Sequence, residues 1–344
     1  MAHALNPYWG KDFTEVFAVL FKRLWGLIQG QMPAEMATDE IQLLVLLAIS
    51  VGCSLIGNFL VLRKMTMLAN SLSHTVLLGI VGAQVSWILF LRDSQSSIGG
   101  GHGQQFLSLP ALLFASLLSA LLTAWLTRLI TRKAHLEEGA GIGLVFTTLF
   151  AVGLISLTLF TRDSHIGTEV VMGNIDALHS DDVALTWSVA AIDCITVFLL
   201  YRLLKTTSFD LSFSRALGLP CKIVDAIFVL VTAATVIGSF RAVGVLLVLA
   251  YLTGPALTAR LVTHRLPLVI GASLVFSSLS SIIAVALSRH LLTVYQISVS
   301  TAGLAVVLIA ILFIIISAAT WVFTRYRQSA ILAISSNTHN SLPL

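Results

Sequence analysis

The sequence predicts an all-α polytopic membrane protein with about nine transmembrane helices, and three observations support this prediction. Hydrophobic residues make up 57% of the 344 residues, whereas Asp, Glu, Lys and Arg together make up only 10%. Globular domains carry about 25% charged residues, so this chain cannot cover a compact surface with solvated side chains. The apolar residues fall into windows of membrane-spanning length, and the Lys and Arg residues gather in alternate loops. These features exclude a cytosolic enzyme, a DNA-binding protein and a disordered chain.

Nine windows are long and apolar enough to cross a membrane. A helix needs roughly 20 mostly apolar residues to span the hydrocarbon, because every backbone polar group must be paired within the segment. Only Asp193 and Asp225 place a charged side chain inside a window. The two windows on either side of Arg241 are short, and the second contains Pro255, so we expect an interruption there that lines a pathway. The windows are 41–62, 67–91, 107–127, 139–161, 183–201, 223–240, 242–259, 266–288 and 301–324.

The loops orient the chain, because Lys and Arg accumulate on the cytoplasmic side of membrane proteins. After residue 40, thirteen of them lie in the loops 63–66, 128–138, 202–222 and 260–265 or in the C-terminal tail, against four in the alternate loops. We therefore expect a cytoplasmic C-terminus. The acidic and histidine-bearing loop 162–182 is then expected on the outer side. The sequence pI of about 9.1 reflects basic loops at a membrane surface and predicts no binding of nucleic acid.

The N-terminal segment is the ambiguous part of this topology. Residues 13–29 place Lys22 and Arg23 in the middle of an apolar stretch. A charged pair is costly at the bilayer centre, whereas flanking Phe, Leu and Trp residues suit an interfacial amphipathic helix. We expect this helix to lie on the outer surface; if it spans instead, the N-terminus is cytoplasmic. The expected regions are the N-terminal segment 1–40, the transmembrane domain 41–325 and a polar cytoplasmic tail 326–344.

The second window carries the strongest candidate for chemistry. Asn70 and His74 are four residues apart, so they lie on one face of an apolar helix about one turn apart. A neutral imidazole with an amide one turn away suits transient binding of a divalent transition metal. The competing interpretation is that His74 only hydrogen-bonds a neighbouring helix. Gly79 and Gly82 on the same helix are expected to allow close packing of a neighbour.

The two acidic residues inside windows have different expected roles. Asp193 is mid-window, so it is either a pathway group or a carboxyl group that desolvation keeps neutral. Asp225 is close to Lys222, and we expect it to reach the cytoplasmic interface.

Two cytoplasmic segments are expected to contact a soluble subunit. In 205–222, Ser208 or Asp210 would cap a short amphipathic helix that stops at Gly218. The segment 258–267 is a short basic link between two membrane windows. The candidate coupling or gate residues are Phe209, Asp210, Arg215, Arg260, Leu261, His264 and Arg265.

The sequence contains no signature of catalysis or nucleotide binding. The glycine-rich stretch 99–103 lacks GxxxxGK[ST] and is expected to be a flexible linker, and neither HExxH nor GxSxG occurs. The three cysteines form no CxxC pair, so packed thiols are expected. We therefore expect neither enzymatic activity nor ATP hydrolysis by this chain alone, and no permanently bound cofactor.

Three stretches in this order and spacing resemble one family: VLRKMTMLANSLSHTVLLG, SFDLSFSRALGLP and RAVGVLLVLAYLTGPALTARL. Over about 41–325 the chain resembles the membrane permease subunits of bacterial ABC importers for manganese, zinc or iron, the ABC-3 family. The resemblance implies a bundle like the vitamin B12 permeases, the type II ABC importers, within the lipid of the bacterial inner membrane. It also implies a second permease subunit, like or sister, cytoplasmic ATPase subunits and an extracytoplasmic metal-binding protein.

The resemblance also implies roles for the candidate residues. The family usually has Asp where this chain has Asn70, so a sister permease would supply the carboxylate for a metal that meets His74. By similarity, 258–267 would couple to the ATPase and 205–220 would form a cytoplasmic gate. Two alternatives remain: a proton- or sodium-driven secondary transporter of a cation with Asp193 and His74 as relay, and an intramembrane enzyme with the same two residues as metal ligands. The missing motifs disfavour the enzyme.

Overall fold

The described part of the chain is helical. The computed structural model describes residues 37–92, 109–160, 175, 178 and 180–339, together with positions 15, 18, 19, 22, 23 and 26. In the order of the chain, the ten helices of these ranges are α1 Thr38–Leu62, α2 Thr66–Arg92, α3 Leu109–Lys133, α4 Glu138–Phe160, α5 Ser180–Phe209, α6 Leu211–Ala216, α7 Cys221–Val243, α8 Val245–Val262, α9 Leu266–Val294 and α10 Thr301–His339.

The predicted windows coincide with these helices. Eight helices of the described residues are long and apolar enough to cross a membrane, and the remaining window, 67–91, coincides with α2. The prediction of an all-α polytopic protein is confirmed. The helices run past the windows, α5 to Phe209 and α10 to His339. Hydropathy marks the part of a helix that suits lipid, whereas the helix itself ends where its backbone groups find a cap.

The junction between α7 and α8 lies three residues later than predicted. The expected interruption is present, but α7 continues past Arg241 to Val243, and Gly244 is the single residue between the two helices. Gly244 has φ 79° and ψ 168°, a conformation that is accessible essentially only to glycine. Pro255 lies inside α8 without ending it.

Helix α1 is the centre of the bundle. In its membrane-spanning window 83% of residues are buried, against 11% for α10, which lies at the periphery. A Cβ atom at Gly57 would lie 2.0 Å from the Leu252 carbonyl oxygen, so the backbones of α1 and α8 are in direct contact. Small residues allow this approach, which dispersion forces stabilise in lipid.

Buried polar side chains join α1, α8 and α9. The Asn58 amide donates to Ser273 Oγ at 2.6 Å, and Tyr251 and Ser281 share a hydrogen bond of 2.5 Å. All four side chains are at most 2% exposed. Interhelical hydrogen bonds of this kind fix the register of packed helices in a membrane.

Helices α2, α3 and α4 form a second group packed against α7. A Cβ atom at Gly79 would lie 2.7 Å from Ser116 Cα of α3, so the predicted close packing there is confirmed. Gly153 of α4 makes a similar approach, with its Cβ position 3.3 Å from Leu78 Cα. The same prediction for Gly82 is wrong, because a Cβ atom there meets nothing within 4 Å in the described structure.

Ion pairs close the end of the bundle where α1 begins. Arg289 of α9 pairs with Asp39, and Arg23 of the N-terminal segment pairs with Glu40. The Glu40 carboxylate also accepts from the Ala37 N–H at 3.0 Å. Arg23 therefore lies at the level of the first turn of α1, which is the end predicted to face outward.

Candidate metal pathway and cytoplasmic face

A tight turn presents the candidate metal-binding face of α2. Lys64 adopts a left-handed φ of 57°, and the Met65 N–H donates to the Leu60 carbonyl at 2.9 Å. This is the hydrogen-bond pattern of a helix that stops at a left-handed residue. Helix α2 then begins at once, so Asn70 and His74 lie within its first three turns.

His74 lies against two aromatic rings of α4. Its imidazole is half-buried, with ring centroids 5.0 Å from Phe146 and 5.3 Å from Phe150. Within the described part of the chain, neither His74 nor Asn70 makes a side-chain hydrogen bond. Asn70 is also partly exposed. The described residues therefore show no hydrogen bond from His74 to a neighbouring helix, in contrast to the competing expectation.

The pair does not form a closed metal site. No group of three or more His, Cys, Asp or Glu side chains in the described ranges can hold a metal ion. An imidazole nitrogen and an amide oxygen, both reachable, can contribute two ligands to a passing ion. The remaining ligands would come from water or from another chain.

Asp193 belongs to a different part of the bundle. It is 1% exposed, and its Oδ1 accepts from Thr235 of α7 at 2.7 Å. Its Oδ2 has no hydrogen-bond partner among the described residues and lies 2.6 Å from where a Cβ atom at Gly52 of α1 would be. Asp193 therefore faces α1 and α7, whereas His74 faces α4, and the two residues do not line a common surface.

The segment 205–222 contains a capped helix. Asp210 is the N-cap of α6 and accepts from the Phe213 N–H at 2.9 Å. The helix ends at Ala216, Leu217 is its C-cap, and Gly218 follows with φ 72°. The sequence predicted Ser208 or Asp210 as the cap, and the structure shows that it is Asp210. Phe209, the last residue of α5, is 64% exposed and Phe213 of α6 is 57% exposed, so the end of α5 and α6 present aromatic side chains to their surroundings.

The segment 258–267 contains a turn. Arg260 and Leu261 lie in the last turn of α8, and Arg265 immediately precedes α9. Arg260, His264 and Arg265 are exposed, and Leu261 is 38% exposed. The residues between the helices form no separate helix, so 258–267 is a bend with basic side chains.

Arg63 connects the α1–α2 turn to the end of α5 and to α7, and sequence reasoning missed it. Its guanidinium group donates to Asp225 at 2.7 Å, to Thr207 at 2.7 Å and to Ser208 at 3.0 Å. It also lies 4.6 Å from the centre of the Phe228 ring. We refer to these five residues as the Arg63 brace. No local sequence pattern indicates that Asp225 would pair with a residue 162 positions away.

The loops that are expected on the outer side lie largely outside the described residues. His102, His165 and His179 lie outside the described residues, as does nearly all of the acidic loop 162–182.

Comparison with known proteins identifies the family. The model of the ABC 3 transport family matches residues 40–320. The chain belongs to the ABC 3 transport family. A probable metal transport system membrane protein of Chlamydia muridarum is 37% identical over 315 residues, covering 91% of this chain and 94% of the relative. The manganese transport system membrane protein MntD of Bacillus subtilis is 33% identical over 247 residues, covering 68% of this chain and 78% of the relative.

Solved structures share the fold. PsaBC from Streptococcus pneumoniae, in complex with Fab, superposes with a TM-score of 0.66 at 21% identity, covering 86% of this chain and 95% of the other. The predicted ABC permease bundle is confirmed. The match to the ABC 3 family includes Asn70, His74 and both cytoplasmic segments, whereas 13–29 lies outside it.

Proposed function

We propose that this ABC 3 family chain is the membrane permease subunit of an ATP-driven importer for a divalent transition metal. The observation that carries the proposal is the family match over 40–320, which spans nearly the whole bundle. The proposal places the chain in a bacterial inner membrane with its C-terminus in the cytoplasm, as the distribution of Lys and Arg favours.

In this proposal, His74 and Asn70 are transient ligands of the transported ion. The neutral imidazole offers a nitrogen lone pair and the amide offers a weak, uncharged oxygen ligand. Two weak ligands suit a pathway, because an ion that is to leave must not be held tightly. A second permease subunit would complete the coordination, with a carboxylate at the position that corresponds to Asn70.

Energy would come from separate ATPase subunits that dock on the cytoplasmic face. The exposed aromatic side chains of α6 and the basic bend 258–267 are the surfaces available for docking. Movement of the docked subunits would exchange an outward-open path for an inward-open one. An extracytoplasmic metal-binding protein would deliver the ion to the outer face.

Reconstitution tests the proposal. The chain is placed in proteoliposomes with the ATPase and permease subunits encoded beside it and with the binding protein outside, and uptake of Mn²⁺, Zn²⁺ and Fe²⁺ is measured. We expect uptake that requires ATP and the ATPase subunit. Uptake driven by a proton or sodium gradient without the ATPase would contradict the proposal and favour a secondary transporter.

A further inference from the structure

A large cavity opens at the cytoplasmic end of the bundle. Its volume is about 880 Å³, and it is bounded by the α1–α2 turn, the ends of α3 and α5, the start of α7 and the short helix α6. It lies beside the Arg63 brace, and Asn70 and His74 are not among its lining residues. Phe209 and Arg215, two candidate coupling or gate residues, line the cavity, but the proposed transport function assigns no ligand to it.

The walls of this cavity are strongly basic. Asp225 is the one acidic residue among the described lining residues, and it is already paired with Arg63. The other basic groups are exposed and make no ion pair or hydrogen bond within the described structure. A cluster of positively charged side chains with few acidic residues nearby attracts anions and repels a metal cation. The basic lining residues are Arg63, Lys64, Arg128, Arg132, Arg215 and Lys222.

The same cavity contains unpaired hydroxyl groups and an apolar wall. The buried Oγ1 atoms of Thr127 and Thr131 have no hydrogen-bond partner among the described residues. Because buried polar atoms are nearly always paired, these hydroxyls indicate a missing partner. Other lining residues are apolar, among them Leu68, Ile142 and Val229. The cavity therefore combines donors for an anion with a surface for hydrocarbon.

From this combination we propose that the cavity binds an anionic phospholipid from the cytoplasmic leaflet. Its phosphodiester would lie among Arg128, Arg132 and Lys222 and accept from the threonine hydroxyls, while the glycerol backbone and the first methylenes contact the apolar wall. Basic pockets between transmembrane helices recognise lipid headgroups in this way. A soluble phosphate can pair with the basic groups but leaves the apolar wall in contact with water. A lipid also covers that wall with hydrocarbon, so we expect it to bind better.

Lipid retention by the purified full-length protein tests this assignment. The protein in a neutral detergent is titrated with dioleoyl phosphatidylglycerol, dioleoyl phosphatidylcholine or inorganic phosphate, and bound lipid is counted by native mass spectrometry alongside thermal unfolding. We expect phosphatidylglycerol to be retained and to raise the unfolding temperature. Each basic residue near an anionic headgroup contributes about fivefold in affinity, so Arg128→Gln with Arg132→Gln should weaken retention of one lipid roughly 25-fold.

A matched control separates the cavity from general surface charge. Lys133→Gln with Arg202→Gln removes two exposed cations that do not line the cavity and should retain the lipid as the wild type does. Equal retention by both double variants would overturn the proposal. So would equal binding of phosphatidylcholine, or equal stabilisation by inorganic phosphate, which would assign the site to a soluble anion.

A second measurement does not depend on the double variant folding. Met67 lines the cavity and is 61% exposed, so Met67→Cys can be alkylated, with peptide mapping to separate it from the native cysteines. We expect phosphatidylglycerol to slow this alkylation several-fold and phosphatidylcholine to leave it unchanged. Unchanged rates with both lipids would contradict a lipid in the cavity.

Discussion

His74 packs against α4, and the proposed function adds a metal-binding role; substitutions can separate the two. His74→Phe keeps an aromatic ring between Phe146 and Phe150 but removes the nitrogen ligand. We expect it to lower metal uptake at least about tenfold, as the loss of a metal contact does, while the thermal unfolding temperature stays close to that of the wild type. Wild-type uptake by a folded His74→Phe variant would remove this residue from the pathway.

An exposed histidine provides the control for His74. His135 lies in the turn after α3 with φ 50°, and Asn tolerates this left-handed conformation. His135→Asn should leave both uptake and unfolding temperature unchanged. An equal loss of uptake in this variant would show that the assay responds to surface histidines in general.

Substitutions of Asn70 test whether two permease subunits share the ligands of the transported ion. Asn70→Asp adds a charged oxygen ligand one turn from His74, so we expect the ion to be retained longer and uptake to continue. Asn70→Leu removes the ligand and should weaken metal retention. Equilibrium binding of Mn²⁺ to the assembled transporter measures retention, and transport assays measure turnover. Complete loss of uptake in Asn70→Asp would contradict a shared ligand set.

At the scale of helices, direct backbone contact holds α1 in the bundle. Gly57→Ala would place a methyl group 2.0 Å from the Leu252 carbonyl oxygen, so α1 and α8 must separate. Overpacking of this kind lowers the free energy of unfolding by about 1–3 kcal/mol. The control is Gly271→Ala, where the new Cβ atom meets no described neighbour within 4 Å and the helix should gain slightly. Equal unfolding temperatures of the two variants in detergent would contradict this packing.

The sequence predicts the membrane-embedded parts of the helices better than their ends. Windows of hydropathy located nine long helices because lipid requires a continuous apolar helix. They placed the break before α8 at Arg241 instead of Gly244, because the deciding feature is a positive φ, which hydropathy does not report. They also ended α5 too early, because the last helical turns, up to Phe209, lie beyond the apolar stretch.

The site residues also divide into those that the sequence predicts and those that depend on how the helices pack. Asn70 and His74 were predictable as a pair, because a spacing of four residues places side chains on one helix face. The aromatic neighbours of His74 were not, because Phe146 and Phe150 come from another helix and depend on how α2 and α4 pack.

At the scale of the whole molecule, the Arg63 brace joins the α1–α2 turn to the end of α5 and the start of α7. Arg63→Gln would remove charge-assisted hydrogen bonds and lower the free energy of unfolding by about 1–3 kcal/mol. A double-mutant cycle with Asp225→Asn isolates the pair. We expect the two substitutions to be less than additive in thermal unfolding. Full additivity would show that Arg63 and Asp225 act independently.

Under the proposed function, either 205–222 or 258–267 transmits the movement of the ATPase subunits, and matched substitutions distinguish the two segments. Arg260→Glu with Leu261→Glu changes the bend after α8, where Leu261 is 38% exposed. Lys133→Glu with Leu136→Glu makes the same change after α3, where Leu136 is 39% exposed, and serves as the control. Phe213→Glu changes the exposed face of α6.

If 258–267 couples the subunits, only Arg260→Glu with Leu261→Glu separates ATP hydrolysis from metal uptake. The reason is that this variant makes the bend acidic and polar, whereas the ATPase surface would contact a basic and apolar bend. We expect hydrolysis to continue while uptake per ATP falls at least about tenfold, a loss of about 1.4 kcal/mol in coupling. Hydrolysis and uptake measured together in proteoliposomes give this ratio. Uncoupling by Phe213→Glu alone would move the coupling role to α6, and uncoupling by the control as well would show only a general effect of surface charge.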